Sequence, residues 1–396
     1  MPDSNYGNTN YLRPNLVYQV VHFGMKNNME TSKERILKAI HHIQPETVPI
    51  NIEGIYADLQ QWYDHFKVAD KLELRDKLGV DLQCARPVYT GSGMEPGLTI
   101  FHTPANVYGA AGVGFGKGRH YPLQDARTVR EIENFAWPDP DDFDYAVAAR
   151  VLQSISDDKA KRVEGKYALL TPGMTLEEAT QKSGGNWLPV ICTLFDLFGF
   201  EETLLNLWQA PTLIETAVRK VEEFALGFYT KLFETTRGLA QFVYMGDDFA
   251  AQKGLLISPE HWRRYLKPTY AKYFALAKGY GLNVWFHSCG QFRPVMGDLI
   301  DIGMDVWETV QAHLPGNEPD ILKREYGDHI TFFGGISTQT TLPFGSTADV
   351  RREVRERIRV LGKNGGYICG PDHGIMPDVP LKNVLAMYDE ARKFIF

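Results

Sequence analysis

The alternation of short apolar runs with long amphipathic stretches from about residue 165 onward most constrains what this chain can fold into. The runs carry apolar residues at consecutive positions, which is typical of strands that are buried on both faces of a parallel sheet. Strands that alternate with helices in this way predict an α/β fold with helices covering the sheet. The clearest runs are FVYMGDDFA (242–250), LNVWFHSCG (282–290), MDVWETVQ (304–311) and ITFFGGIS (330–337).

Counting VPINI (48–52) as a first strand gives seven or eight strand–helix units, which predicts a (β/α)8 TIM barrel. No Gly-x-Gly-x-x-Gly follows the first strand, which argues against a dinucleotide-binding fold. We predict a single barrel domain over residues 31–396, preceded by an N-terminal extension over residues 1–30. Residues 78–125 lack a helical period and are rich in Gly and Pro, so we predict an insertion of short antiparallel strands and loops there.

The segment GAAGVGFGKG (109–118), inside this insertion, has two interpretations. A phosphate-binding loop needs a Gly five positions before the Gly-Lys pair and a Ser or Thr after it. Here those positions hold Ala111 and Gly118. We therefore expect a flexible hairpin or lid.

Composition and charge exclude several classes of function. The 396 residues carry a net charge of −7, which argues against a nucleic-acid partner, because such partners need clustered positive charge. No apolar run reaches the 18 residues needed for a membrane span, and the first residues do not resemble a signal peptide. Four cysteines in a chain of this length do not form a disulfide framework, so we expect a cytoplasmic protein with reduced thiols.

Polar side chains follow most of the predicted strands, at the end where TIM barrels carry their active sites. Because residues two apart on a strand point to the same side, His287 and Cys289 are expected to face one point. The other strand-end residues that can bind a metal or carry a proton or a hydrogen bond are Asn51, Glu53, Asp247, Asp248, Glu308, Gln311, Cys369, Asp372 and His373.

These residues predict a zinc site, because Zn²⁺ prefers thiolate and imidazole ligands. The candidate ligands are His287, Cys289, Glu308 and Cys369, with His373 as the alternative third ligand. Asp247 and Asp248 stay open as either a loop cap or a site carboxylate. The aromatic residues Trp285, Phe286, Trp307 and Tyr367 either wall a pocket for an aromatic ring or pack between sheet and helices.

Several segments, taken together in their order and spacing over about residues 31–396, resemble the uroporphyrinogen decarboxylase superfamily. They are SKERILKAIHHIQPETVPI, LLISPEHWRRYLKPTYAKYFALAK, FHSCG followed by GMDVWE, FFGGIST and GGYICGPDHGIMPDVPLKNVLAMYDEAR. The superfamily adopts the (β/α)8 barrel and contains two kinds of enzyme. One branch decarboxylates porphyrinogens without a cofactor, and the other comprises zinc-dependent methyltransferases that exchange methyl groups with a corrinoid protein.

The resemblance favours the methyltransferase branch. Decarboxylases carry an arginine-rich R-Q-A-G-R motif that binds substrate carboxylates, whereas NIEGIYADLQQW here contains no arginine, although His373 matches a decarboxylase histidine. The methyltransferase motif H-x-C is present as His287 and Cys289. The family's later cysteine is expected near position 373, whereas Cys369 lies four residues earlier. The resemblance thus implies Zn²⁺ as a Lewis acid, a corrinoid carried by a partner protein, and a small methylated substrate, with methoxylated aromatics as one candidate.

In this interpretation His373 or Asp248 would protonate the leaving group. A homodimer is compatible with the sequence. Two alternatives are a cofactor-free uroporphyrinogen-type decarboxylase, which is a carboxy-lyase, and a tetrapyrrole- or corrinoid-binding barrel without catalytic activity.

Overall fold

The computed structural model describes residues 30–56, 59–92, 98–103, 121–170, 173–181, 186–188 and 190–396. Contacts along the chain separate Met1–Glu30 from a compact unit, Thr31–Phe396, and the description below concerns the second unit. The predicted hairpin or lid at 109–118 lies outside the described residues, as do residues 93–97 and 104–120 of the predicted insertion. The domain boundaries predicted above stay a prediction.

The described residues form strands in a main parallel sheet, a smaller mixed sheet and a short hairpin. The strands are β1 (Leu82–Ala85), β2 (Val88–Tyr89), β3 (Phe143–Asp144), β4 (Ala160–Glu164), β5 (Lys166–Leu169), β6 (Asn186–Trp187), β7 (Phe242–Gly246), β8 (Ala250–Ala251), β9 (Gly254–Leu255), β10 (Asn283–His287), β11 (Met304–Val310), β12 (Thr331–Ile336) and β13 (Tyr367–Pro371).

Helices surround these strands. They are α1 (Ser32–Ile40), α2 (Leu59–Phe66), α3 (Lys71–Lys77), α4 (Val129–Glu133), α5 (Ala146–Ser154), α6 (Leu176–Gln181), α7 (Ile191–Phe198), α8 (Phe200–Gln209), α9 (Pro211–Thr235), α10 (Pro259–His261), α11 (Lys267–Gly279), α12 (Arg293–Asp301), α13 (Pro319–Tyr326), α14 (Thr341–Phe344), α15 (Thr347–Leu361) and α16 (Leu381–Lys393). A 3-10 turn covers Pro140–Asp142, and a π-helical turn covers Trp262–Leu266.

The main sheet has seven parallel strands in the order β1-β4-β7-β10-β11-β12-β13. The predicted parallel α/β architecture is therefore confirmed, but the described residues do not include an eighth strand that closes the barrel. The segment 48–52 instead makes isolated contacts with both edge strands. Ile50 forms a parallel bridge with Cys369, and the Asp81 N–H, one residue before β1, donates to the Ile50 carbonyl at 2.9 Å.

Three strands differ from the prediction. The edge strand β1 belongs to the main sheet, although we assigned its residues to the insertion. Strand β4, with the sequence AKRVE, was not predicted. The run YALLTPG, predicted as a barrel strand, contributes to β5 in the four-stranded sheet β3-β2-β5-β6, where β5 pairs parallel with β2 and antiparallel with β6.

The two faces of the main sheet bury different sets of side chains. One face, called the inner face below, carries a small apolar cluster that includes Phe242, Tyr244, Trp285, Phe333 and Ile368. The residues between them on each strand join the large core shared with the helices. The alternation of side chains along each strand thus decides which residues reach the inner face and which pack beneath the helices.

Local sequence signals place the helix starts. Thr31 caps α1 and forms a capping box with Glu34. Ser258 caps α10, with Pro259 in the first turn. None of the described helices combines the length and the apolar character needed to cross a bilayer.

Candidate metal centre

The carboxyl ends of three neighbouring strands bring the main candidate residues together. In the parallel register, His287 at the end of β10 pairs with Glu308 on β11 and with Gly246 on β7. Asp248 follows β7 directly, so it stands at the same edge of the sheet. Trp285 lies in the inner-face cluster, and His287, two residues further along β10, projects to the same side.

The two ring nitrogens of His287 face different groups. Nδ1 lies 3.6 Å from Glu53 Oε1 and 3.5 Å from Glu308 Oε1, whereas Nε2 lies 3.6 Å from Asp248 Oδ1. The imidazole is 1% exposed. Burial alone would lower the pKa of His287, but the negative charges of these three carboxylates outweigh it and raise the pKa.

Cys289 shares the Asp248 carboxylate with His287. Asp248 Oδ1 accepts the Cys289 N–H at 3.3 Å and lies 3.4 Å from Sγ, within reach of a hydrogen bond from the thiol. Burial raises the pKa of the Cys289 thiol well above its usual value, and the negative charge of Asp248 raises it further. Without a metal ion, the thiol is therefore protonated and donates to Asp248.

His373 completes a group with metal-ligand spacing. Its ring centroid lies 6.0 Å from that of His287, and ligand atoms of His287, Cys289 and His373 all lie within 4.8 Å of one another. Tetrahedral zinc with N and S ligands needs separations of roughly 3.3–3.8 Å between ligand atoms, so small side-chain movements suffice. Two imidazoles and a thiol match the preference of zinc, and these three residues fit the ion.

Cys369 does not join this group. Strand β13 continues to Pro371, so Cys369 lies inside the strand rather than after it. Ile368 takes the inner face, and Cys369 therefore points into the large core, where its thiol contacts the Tyr367 hydroxyl. Burial raises the pKa of Cys369 to about 12, which opposes formation of a thiolate. Of the two alternatives for the third ligand, the structure brings His373 to the site.

Glu308 belongs to a second group, with Glu53 and His287, on the Nδ1 side of the imidazole. Its Oε2 accepts hydrogen bonds from Arg162 at 3.2 Å and from the Trp285 indole N–H. The carboxylate is fully buried, yet its contact with His287 and the charge of Arg162 lower its pKa below the usual value. Glu308 thus lies on the side of His287 away from Cys289, where carboxylates often orient zinc-binding histidines, and its assignment as a metal ligand stays a prediction.

The adjacent carboxylates Asp247 and Asp248 have different positions. Asp247 is completely buried and accepts hydrogen bonds from the backbone N–H groups of Val190, Ile191 and Cys192 at the start of α7. Asp248, by contrast, contacts Cys289 and His287 as described. Asp247 therefore caps the start of α7 instead of the loop after β7, and Asp248 lies beside the metal-ligand group, where its role stays a prediction.

The four aromatic residues do not form a common wall. Trp285 lies on the inner face, while Phe286, Trp307 and Tyr367 belong to the large core. Trp307, for example, packs edge-on against Phe292, which immediately precedes α12. Neighbouring residues on a strand point to opposite faces, so Trp285 and Phe286 cannot line the same pocket wall.

A cavity of about 380 Å³ opens beside the metal-ligand group, with Cys289 and His373 in its wall. Sequence reasoning noted Glu53 and Gln311 at strand ends but did not select them for the site. Glu53 contacts His287, and Gln311 lines the cavity. The signal that would have found both is their position directly after a buried apolar run.

The profile of the uroporphyrinogen decarboxylase (URO-D) family matches residues 192–394, about half of the chain. The chain belongs to this family. The match includes β7, β10, β11, β12 and β13, and with them the residues around His287. The family membership predicted from the sequence is confirmed.

Two further similarities concern methyltransferases. Over 100 residues, 25% of this chain, the sequence is 30% identical to a methionine synthase of Methanothermobacter thermautotrophicus, and this covers 32% of that relative's length. The solved structure of a methyltransferase from Methanosarcina mazei aligns with 92% of this chain and 99% of its own, with a TM-score of 0.58 and 19% identity. At that identity the second similarity shows a shared fold.

Proposed function

We propose that this URO-D family member is a zinc-dependent methyltransferase that moves a methyl group between a small methylated donor and the cobalt of a corrinoid protein. The observation that carries the proposal is the group formed by His287, Cys289 and His373 beside a cavity at the carboxyl ends of the strands. The methyltransferases among the similar proteins support it. The absence of arginine from NIEGIYADLQQW speaks against a decarboxylase that binds many carboxylates.

When bound, zinc supplies a Lewis acid that lowers the cost of breaking a bond between a methyl group and a heteroatom. The residues of the chain prepare its site. Glu308 holds Nδ1 of His287, so that Nε2 is directed to the side of Cys289. The Asp248 carboxylate, which contacts the thiol, accepts the Cys289 proton at Oδ1 when the thiolate forms.

Asp248 is also the carboxyl group best placed to return a proton to the leaving group, because it is 29% exposed and borders the ligand group. His373, the other predicted proton donor, is used as a ligand in this arrangement. The corrinoid partner would approach from the carboxyl ends of the strands, since the cobalt must reach the methyl group.

We also infer that residues 48–52 act as the eighth strand of the barrel. The contacts of Ile50 with both edge strands support this, as does the Asn51 N–H, which donates to the Cys369 carbonyl at 3.0 Å. Such a strand explains why Glu53, which follows it, reaches His287.

The test is zinc analysis of purified protein under reducing conditions. Wild type is expected to hold about one zinc per chain, and His287→Ala, Cys289→Ser and His373→Ala to lose it. Cys369→Ser is the matched control, because it removes a buried thiol outside the ligand group and is expected to keep zinc. Zinc-free wild type, or variants that retain zinc, would contradict the proposal.

Zinc-loaded protein is then incubated with Co(I) cobalamin and methylated donors, and methylcobalamin is followed by absorbance. Wild type is expected to form it, and the three ligand variants are not. Consumption of uroporphyrinogen by metal-free protein would instead support the decarboxylase, and binding of cobalamin without turnover would support the non-catalytic barrel.

A further inference from the structure

The cavity beside the ligand group has an uncharged polar wall. The side chains of Gln252, Gln311, Gln339 and Thr338 line it, and the remaining described lining residues are glycines, alanines and Met376. Apart from Cys289 and His373, no described lining residue is ionisable, and none is aromatic. The wall therefore offers hydrogen bonds without a countercharge for an anion or a cation, and without a ring face for stacking.

Gln311 is the buried member of this wall, with 3% of its surface exposed. The Gly290 N–H donates to its Oε1 at 2.8 Å, and this donor fixes which end of the amide is the oxygen. Asn317 Nδ2 donates to the Gly290 carbonyl at 3.1 Å, which holds the Gly290 side of this pair in place. The orientation of the Gln311 amide is thus set by the protein before any ligand binds.

The Nε2 group of Gln311 has no hydrogen-bond acceptor among the described residues, although the side chain is buried and lines the cavity. This nitrogen is not among the enclosed side-chain atoms that lack a partner, so it is open to the cavity. It is therefore free to donate to a ligand oxygen there. The position is one residue after β11 and beside Gly290, which follows the ligand Cys289.

The opposite side of the cavity is bounded by exposed amides. Gln252, in the hairpin β8–β9, donates from Nε2 to Gln339 Oε1 at 2.9 Å, which links the hairpin to the loop after β12. Both partners of this hydrogen bond are uncharged amides that line the cavity. A volume of about 380 Å³ lies near the lower end of ligand pockets, so the occupant is small.

We propose that this cavity binds a compact, uncharged methyl donor that carries an oxygen acceptor, and that Gln311 recognises this oxygen by donating from Nε2. The inference rests on the proposed function for the methyl group, but the recognition step concerns binding alone. It departs from the methoxylated aromatic donors considered from the sequence, because the described wall has no aromatic side chain.

The test compares three probes of similar size with zinc-loaded protein: methoxyacetamide, methyl propyl ether and methoxyacetate. Dissociation constants are measured by ligand-observed NMR titration, which needs no methyl transfer. Wild type is expected to bind methoxyacetamide about tenfold more tightly than the ether, since one hydrogen bond of about 1.4 kcal/mol gives that ratio. With zinc-free protein, methoxyacetate is expected to bind more weakly than methoxyacetamide, because the described wall itself supplies no cation.

Gln311→Met is expected to reduce the ratio between methoxyacetamide and the ether to about one. Gln311→Glu retains an acceptor for the Gly290 N–H but loses the donor, so it is expected to give the same loss even if the Met variant folds poorly. Gln83→Met is the matched control. Gln83 is an equally buried amide, bonded to the Leu72 carbonyl and Asp76 far along the chain from the site, and this variant is expected to keep the wild-type ratio.

The inference is overturned if wild type binds the ether as tightly as methoxyacetamide, if zinc-free wild type binds methoxyacetate as tightly as methoxyacetamide, or if both Gln311 variants keep the wild-type ratio. Its failure is distinguishable from that of the proposed function. Gln311-dependent binding without methyl transfer leaves the inference standing and removes the methyltransferase. Methyl transfer, with a ratio between methoxyacetamide and ether binding that does not depend on Gln311, leaves the methyltransferase standing and removes the inference.

Discussion

Replacing Asp247 with alanine is expected to destabilise the protein, because it removes the carboxylate that caps the start of α7. The Asp247 carboxylate accepts the N–H groups of Val190 at 2.9 Å, Ile191 at 2.8 Å and Cys192 at 3.0 Å. The Tyr270 hydroxyl donates to the same carboxylate at 2.5 Å. These donors are buried at the start of a helix, where no backbone carbonyl of that helix can accept them.

The magnitude follows from the three backbone donors. Each loses its hydrogen bond in a buried setting, at about 1–1.5 kcal/mol apiece, for a total of about 4 kcal/mol. A unit the size of Thr31–Phe396 unfolds with an entropy of about 0.8 kcal/mol/K near 60 °C. The expected decrease in melting temperature is therefore about 5 °C.

The assay is thermal unfolding by circular dichroism at one fixed scan rate, with Asp248→Ala as the matched control. Asp248 is the next residue and also a carboxylate, but it contacts Cys289 and His287 instead of a helix start. Asp248→Ala is expected to change the melting temperature by less than about 2 °C while abolishing methyl transfer. Equal shifts for the two variants would refute the assignment of Asp247 to the helix and of Asp248 to the site.

Two further variants test the groups behind the ligand set. Glu308→Gln is expected to weaken zinc binding by about 10- to 100-fold in competition with a chelator, because it removes the carboxylate that orients His287. An unchanged affinity would exclude that role. Glu164 is buried, which opposes its ionisation, but Arg162 and other cations lower its pKa to about 2. Since this pKa is below the ordinary value of 4.5, the stabilisation exists above about pH 4.5 and is lost as the pH falls towards 2. The difference in unfolding free energy between wild type and Glu164→Gln should therefore shrink over that range, and a difference independent of pH would contradict the pairing.

The sequence predicted β7, β10, β11 and β12, whose residues are mostly apolar because both of their faces are buried. It missed β4, whose sequence AKRVE carries Lys161, Arg162 and Glu164. These charges are buried because Arg162 pairs with Glu164 at 2.8 Å and with Glu308. Glu164 lies on the same strand as Arg162, but Glu308 lies on β11, and no local pattern of hydropathy reveals that second partner.

The candidate site could be predicted where the sequence shows which residues of a strand point to the same face. His287 and Cys289 follow a strand whose end is clear, and the structure brings them to one point. Cys369 was predicted at a strand end, whereas the structure places it inside β13 on the face opposite to Ile368, because neighbouring side chains on a strand alternate between faces. The two ring nitrogens of His287 face Glu308 and Asp248, which come from neighbouring strands, so this arrangement is not visible in any single segment.

Gly290 carries a consequence for how this chain can vary. Its backbone has a φ of +89°, and a Cβ placed there would lie 2.6 Å from the Ala251 carbonyl oxygen. Any larger residue would push the hairpin β8–β9 away from Cys289. Substitutions that change substrate specificity are therefore expected at Gln252 or Gln339 in the cavity wall, and not in the loop after β10 that contains Cys289. Lineages that diverge in specificity would retain the glycine even where the thiol has been exchanged.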